Sequence, residues 1–408
     1  MVRKILNSGW LIVLFFLFLP FERLLTLDIG GLTAKISFVF LFLIFLAFLF
    51  ERPNARLLKA DKIILAFAGL SYLTCLWSID LKRSLVISTI FLAVILGFIA
   101  VRRYLDENLT AKIKSIIIYS GFALCLFALW QYFGDLHNLP LTFLRPEYAK
   151  AIFGFPRPQA TFLEPLYFAN FLFLPIFFTI ERIIAEKKLP IFYIVNLFLL
   201  ALVLALTLSR GAYIGLLAAI IFLVAITIWK FRDKLKSVAI IVGVIILGFA
   251  AATGLVYLTA PRASFNLAVS HSGAVDIVAG GQNQSRLDTS KLALQKFQKN
   301  IFGLGAGAFG ALPEFSEKLA TGQYQTVNNL YLEILAEEGV IGLLLFAAFL
   351  ILFVRAKWTA IKSKSFADLI YLSIFIAIFV QALSFSTLYI LPIWGFLALA
   401  WSTRRETV

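Results

Sequence analysis

Long apolar runs constrain this chain more than any other feature. Segments long enough to cross a bilayer as helices recur near residues 8–27, 34–50, 62–78, 84–101, 114–133, 163–181, 190–208, 211–229, 237–259, 329–354, 366–386 and 388–402. The stretch from Phe366 to Trp401 reads either as two short spans or as one long span kinked or broken near Pro392. Composition excludes a soluble domain, because 61% of the 408 residues are hydrophobic and only 14% are charged. The sequence therefore predicts an all-α polytopic membrane protein with about twelve transmembrane helices.

A net charge of +15 would suit a nucleic-acid binder, but here its distribution points to membrane topology. Placing both termini on the cytoplasmic side puts Arg52, Arg56, Lys59 and Lys62 in one inner segment. It puts Arg102, Arg103, Lys112 and Lys114 in the next, and Lys230, Arg232, Lys234 and Lys236 in a later one. Every inner segment is then basic, as the positive-inside rule requires. The first apolar segment follows Arg3 and Lys4 and lacks an evident cleavage site, so it reads as a retained signal anchor. Cys75 and Cys125 lie inside apolar segments and read as small packing residues. His137 and His271 are the two histidines and have no metal-ligand spacing, so neither a metal nor another cofactor is expected.

The one large polar island falls between the ninth and tenth spans, which divides the chain into a bundle at 1–259, an extracytoplasmic loop at 260–328 and a closing bundle at 329–408. Within the island, Ser285-Arg286-Leu287-Asp288 has the Ser-x-x-Asp form of a helix start. It is followed by an amphipathic pattern in which Leu287, Leu294 and Phe297 share a face. Arg286 then stands in the first turn, where a cation opposes the helix dipole. Gly303, Gly305 and Gly307 read as a flexible turn, and no strand-loop-helix context makes them a nucleotide loop.

Other outer segments carry charge at the membrane boundary. Arg157 and Glu164 flank Pro158-Gln159-Ala160-Thr161-Phe162-Leu163, with Pro165 suited to a first helical turn. Such a pair is either a mutual ion pair at a helix start or a substrate contact plus a base. Ser209-Arg210-Gly211 leaves almost no connection between two spans, so Arg210 either snorkels to head groups or clamps an anion with its planar fork.

Taken in order, these motifs resemble the O-antigen ligase and O-antigen polymerase superfamily. The residues that carry the resemblance are Leu76-Trp77-Ser78-Ile79-Asp80 with Ser84-Leu85, Ser209-Arg210-Gly211, Ser285-Arg286 and the Gly303–Gly307 turn. Asn329-x-x-Leu332-Glu333 and Glu338-Gly339-Val340-Ile341-Gly342 complete it. The resemblance implies a metal-independent glycosyltransferase of the bacterial inner membrane with a periplasmic active face. Its implied partners are an undecaprenyl-diphosphate-linked glycan donor, a glycan or lipid A-core acceptor, membrane lipid and a chain-length regulator, with no nucleic acid.

Ligases place a histidine, considered catalytic, where this chain has Asn328. Arg157 followed by Thr161-Phe162-Leu163-Glu164-Pro165 looks more like the polymerase branch. The resemblance and the chemistry together nominate Glu164, Arg210 and Arg286 as catalytic residues and Arg157, Asn328 and Asn329 as substrate-binding ones. The alternatives are a ligase acting on lipid A-core or on protein, and a transporter of anionic solutes. A transporter would need polar residues through the span centres, which are almost uncharged here.

Overall fold

A computed structural model describes residues 8–24, 26–29, 32–51, 57–186, 191–262, 264–266, 281–320, 324–386 and 388–402. The described chain is nearly all helical. Its helices are α1 (Ser8–Phe18), α2 (Ile36–Glu51), α3 (Lys59–Thr74), α4 (Leu81–Tyr104), α5 (Glu107–Leu136), α6 (Pro165–Ala185), α7 (Ile191–Leu206), α8 (Arg210–Lys230) and α9 (Leu235–Thr259). They continue with α10 (Gly281–Lys299), α11 (Leu330–Glu337), α12 (Gly339–Lys362), α13 (Phe366–Gln381) and α14 (Leu391–Ser402). Eight helical segments among the described residues are long and apolar enough to cross a membrane, and four more apolar helices are shorter. The chain is a multi-pass membrane protein.

Local sequence sets the helix ends. Asp80 and Asp106 accept backbone N–H bonds from Arg83 and Leu109, capping α4 and α5. Pro165 opens α6, where a missing N–H is harmless. The last apolar stretch splits in two: α13 ends at Gln381, and Pro392 lies in the first turn of α14.

Two features depart from the sequence reading. An antiparallel hairpin, β1 (Thr26–Ile29) and β2 (Leu32–Lys35), occupies the ends of the first two predicted spans, with Thr26 opposite Lys35. The Gly-Gly dipeptide between the strands is a hairpin signal that helix periodicity hid. The span predicted at 329–354 is also broken. Glu338 N-caps α12, and Gly339 adopts φ +71°, which only glycine holds without strain. A Cβ on Gly339 would also sit 2.5 Å from the Ile301 carbonyl oxygen.

The bundle surrounds one continuous apolar core, in which α8 packs closely on α13 and α9 on α7. At one end the charges pair between helices. Asp61 accepts from Arg102 at 2.6 Å with Arg103 at 3.7 Å, Lys114 meets Glu181 at 2.8 Å, and Lys357 meets Asp368 at 2.7 Å. All of these belong to segments expected on one side of the membrane.

The island forms a second, smaller core at the opposite end, built from Ala293, Leu304, Ala308, Phe309, Leu312, Val327 and Ala336. Helix α10 packs on α11. It begins at Gly281, so Arg286 stands in its second turn rather than its first. The seated stripe is Thr289 and Ala293, whereas Leu287 and Leu294 are exposed; the expected apolar face is therefore not the packed one. His271 lies outside the described residues.

The glycine turn is not the loose segment that its composition predicts. Gly303, Gly305 and Gly307 all adopt positive φ. The backbone N–H groups of Leu304 and Gly305 donate to the carbonyls of Ala336 and Glu337, and Trp77 Nε1 donates to the Gly303 carbonyl at 3.0 Å. Gly305 lies so close to Ser78 that a Cβ would be 2.5 Å from the serine Cβ. Three of the resembling motifs therefore meet in one brace that holds the island on the bundle.

Candidate functional site

Four of the six residues nominated from sequence line one cavity of about 510 Å³. They are Arg157, Glu164, Arg210 and Arg286, joined by Glu147, Tyr148, Leu208, Ser209 and Ser384. The volume falls within the range of about 300–1,000 Å³ typical of small-molecule sites.

Each side chain arrives by a separate route. Arg157 lies on a loop whose shape is fixed by Gln131. The Gln131 side-chain oxygen accepts from the backbone N–H groups of Gln159 and Ala160, and its amide donates to the Ala160 carbonyl. The Arg157 guanidinium donates to the Thr207 carbonyl at 3.1 and 3.3 Å, which ties this loop to the α7–α8 connection. Glu164 is the residue before α6, in extended conformation, and its side chain makes no capping bond. Arg210 is the first residue of α8, so the short connection fixes its origin. Gly211 is approached by the Ser384 side chain rather than by a backbone. Arg286 enters from α10 and is exposed at the cavity mouth.

The electrostatics of the lining would suit an anion. Desolvation and then the Arg210 charge lower the Arg286 pKa, while Glu164 opposes them. Desolvation also lowers the Arg157 pKa. Guanidiniums stay protonated regardless, so the array holds like charges together at a cost that a bound anion would relieve. Glu164 is the opposite case. Burial raises its pKa above the usual carboxylate range, although Arg145 and Arg157 pull it down. A half-buried carboxylate with raised proton affinity suits a general base.

Asn328 and Asn329 do not line the cavity. The Asn329 side-chain oxygen accepts from the N–H groups of Tyr331 and Leu332 at 3.1 Å each, so it is the N-cap of α11. Asn328 has φ +57°, a conformation asparagine tolerates better than most residues, and accepts from Thr326 Oγ1 at 3.4 Å. In this structure the two residues take turn and cap roles outside the cavity lining.

Sequence reasoning missed Glu147 and Tyr148. Their turn has no helical periodicity, and only the run Arg145-Pro146-Glu147-Tyr148 marks it in the sequence.

A family model described as O-antigen ligase matches residues 195–347. This segment is similar to the O-antigen ligase family. It runs from α7 into α12 and carries Arg210 and Arg286, while Arg157 and Glu164 precede it. No curated protein matches the chain. Over residues 195–347 the chain is thus similar to O-antigen ligases, and its architecture is that of a multi-pass helical membrane protein.

Proposed function

We propose that the chain is a glycosyltransferase that takes glycan from undecaprenyl diphosphate on the periplasmic face of the bacterial inner membrane and polymerises O-antigen or exopolysaccharide repeat units. One observation carries the reading: three arginines and one carboxylate of raised pKa converge on a single cavity. The donor carbon already bears a good leaving group, so catalysis consists largely of stabilising charge on the departing diphosphate.

In the proposed reaction, the acceptor hydroxyl oxygen attacks the anomeric carbon in line, and the bond from that carbon to the diphosphate oxygen breaks. The electron pair leaves with the lipid diphosphate, held by Arg210 and Arg286 with Arg157 assisting. The hydroxyl proton passes to Glu164, and the configuration at carbon inverts. Fixed guanidiniums do this work without reorganising and without a metal. Positive-inside counting supports cytoplasmic termini and a cavity on the outer face.

The test is reconstitution in liposomes with the lipid-linked repeat unit as sole glycan, read on a gel. A ladder of increasing length is the expected result. Transfer only after addition of lipid A-core, or of a protein acceptor, would instead mark a ligase, and no product from the native repeat unit would overturn the enzyme reading.

A further inference from the structure

The cavity has two chemically different walls. One is the arginine array. The other is the turn Pro146–Tyr148 and the one-turn helix Lys150–Phe153 after it, which contribute Glu147, Tyr148 and Ile152. We propose that this second wall is the subsite for the sugar bonded directly to the diphosphate, with Tyr148 and Glu147 as its reading groups. The inference rests on the diphosphate assignment of the arginine wall.

Three observations support it. First, the wall is joined to the cationic one. The Arg157 N–H donates to the Tyr148 carbonyl at 2.8 Å, and the Arg157 guanidinium carbon lies 5.7 Å from the Tyr148 ring centre. A group held by Arg157 therefore has Tyr148 as its neighbour.

Second, the wall is fixed in place. Arg145 donates to Glu147 at 2.8 Å and to the Leu163 carbonyl at 3.1 Å. The Lys150 N–H donates to Asp135 at 2.7 Å, and its ammonium donates to the Leu136 carbonyl at 2.8 Å. Gly154, at φ +76°, closes the one-turn helix against Ser264, where a Cβ would collide. A fixed wall loses little entropy on binding.

Third, its chemistry suits a sugar and not a phosphate. Tyr148 presents a ring and a hydroxyl that can donate and accept, and burial pushes its pKa up to about 12, so the hydroxyl stays protonated. Glu147 presents a carboxylate kept ionised by a backbone hydrogen bond and by Arg145. A carboxylate repels phosphate and accepts from sugar hydroxyls. Together, a ring, a hydroxyl and a carboxylate beside an anion clamp match a glycosyl diphosphate.

The experiment measures binding to the full-length protein in nanodiscs. The probes are sugar-free undecaprenyl diphosphate and the lipid-linked repeat unit extracted from the native host. Tyr148→Leu should weaken binding of the repeat-unit lipid about tenfold and leave the sugar-free lipid unchanged. Glu147→Gln, a change at an exposed side chain, should show the same selectivity at about threefold. It provides the test if Tyr148→Leu fails to fold. Arg210→Ala should weaken both probes. Equal loss of both probes in the Tyr148 and Glu147 variants, or loss of neither, would overturn the sugar subsite. Unchanged binding of both probes by Arg210→Ala would instead overturn the diphosphate reading beneath it.

Discussion

The two ends of the bundle treat charge in opposite ways. At one end charges are paired between helices: Asp61 with Arg102 and Arg103, Lys114 with Glu181, Lys357 with Asp368. At the other end Arg157, Arg210 and Arg286 gather around one cavity with Glu164 among them. Opposite charges in contact lock helices together, whereas several cations gathered around one cavity create a positive field there. If the proposed function holds, the contrast separates residues that build the bundle from residues that meet substrate, and substitutions at the two ends should fail in different ways.

The largest expected effect is at the paired end. Asp61 is fully buried, accepts from Arg102 and the Leu58 N–H, and has Arg103 as a second ion-pair partner. Asp61→Ala leaves two guanidiniums facing a low-dielectric interior, and breaking such a pair costs about 3–5 kcal/mol. Thermal unfolding in detergent should show a large drop in midpoint, and whatever enzyme still folds should keep its KM. A variant of wild-type stability would show that the pair is not needed to lock α3 to α4.

At the cavity the failure should be catalytic. Arg210→Ala and Arg286→Ala should each reduce transfer by about 10²–10³-fold, the range for losing one charge-stabilising donor, with the unfolding midpoint unchanged. Transfer at the wild-type rate from either variant would remove the clamp. Glu164→Gln should lower the rate by about 10²-fold and alter its pH dependence. Because the Glu164 pKa is raised, the base is lost as pH falls through a value above the ordinary glutamate range. The acidic limb of kcat/KM should therefore lie above about pH 4.3 and disappear in Glu164→Gln. A limb that survives the substitution would assign it to another group.

The contrast was legible in sequence where it rests on cost. Ionisable groups at a membrane boundary are expensive, which is why Arg157, Glu164, Arg210 and Arg286 stood out before any geometry. Runs of bilayer length were legible for the same reason. What depends on contact between distant segments was not. Gly339 follows Glu337-Glu338 at the edge of an apolar run, and its approach to Ile301 and Phe302 explains the break before α12. Leu287, Leu294 and Phe297 have helical spacing, but α11 seats Thr289 and Ala293 instead, because small residues allow closer approach. Tyr148 enters the cavity through a loop folded back on Arg157, which no local pattern announces.

A third region tests whether buried charge alone marks a ligand site. Glu333, Glu337 and Glu338 crowd the joint of α11 and α12, and burial raises the pKa of each, that of Glu338 to about 7. Their donors are all internal: Ser386 for Glu333, the Gly307 and Phe309 N–H groups for Glu337, and Ser71 and Thr74 for Glu338. Glu337 braces the glycine turn, Glu333 and Glu338 join other segments, and none of the three lines the cavity. For Glu338 the folded pKa exceeds the unfolded one, so the folded state holds more protons between about pH 4.3 and 7. Stability should therefore fall as pH rises through that window, and Glu338→Gln should flatten the fall without changing KM. A pH-independent midpoint in the wild type would show that Glu338 does not titrate in this window.

The smallest effect should come from Asn328, and it sharpens the contrast most. If family position alone determined function, Asn328 would contact substrate, because ligases place a histidine there. Its geometry points elsewhere: a left-handed turn residue bonded to Thr326, outside the cavity lining. Replacement by glycine, which accepts the same φ, should change stability and transfer by less than about 1 kcal/mol. Replacement by histidine should not create ligase activity toward lipid A-core, because the position does not reach the arginine array. Strong transfer to lipid A-core by Asn328→His would show that this turn moves into the cavity during turnover, and that the division between brace and site shifts in the working enzyme.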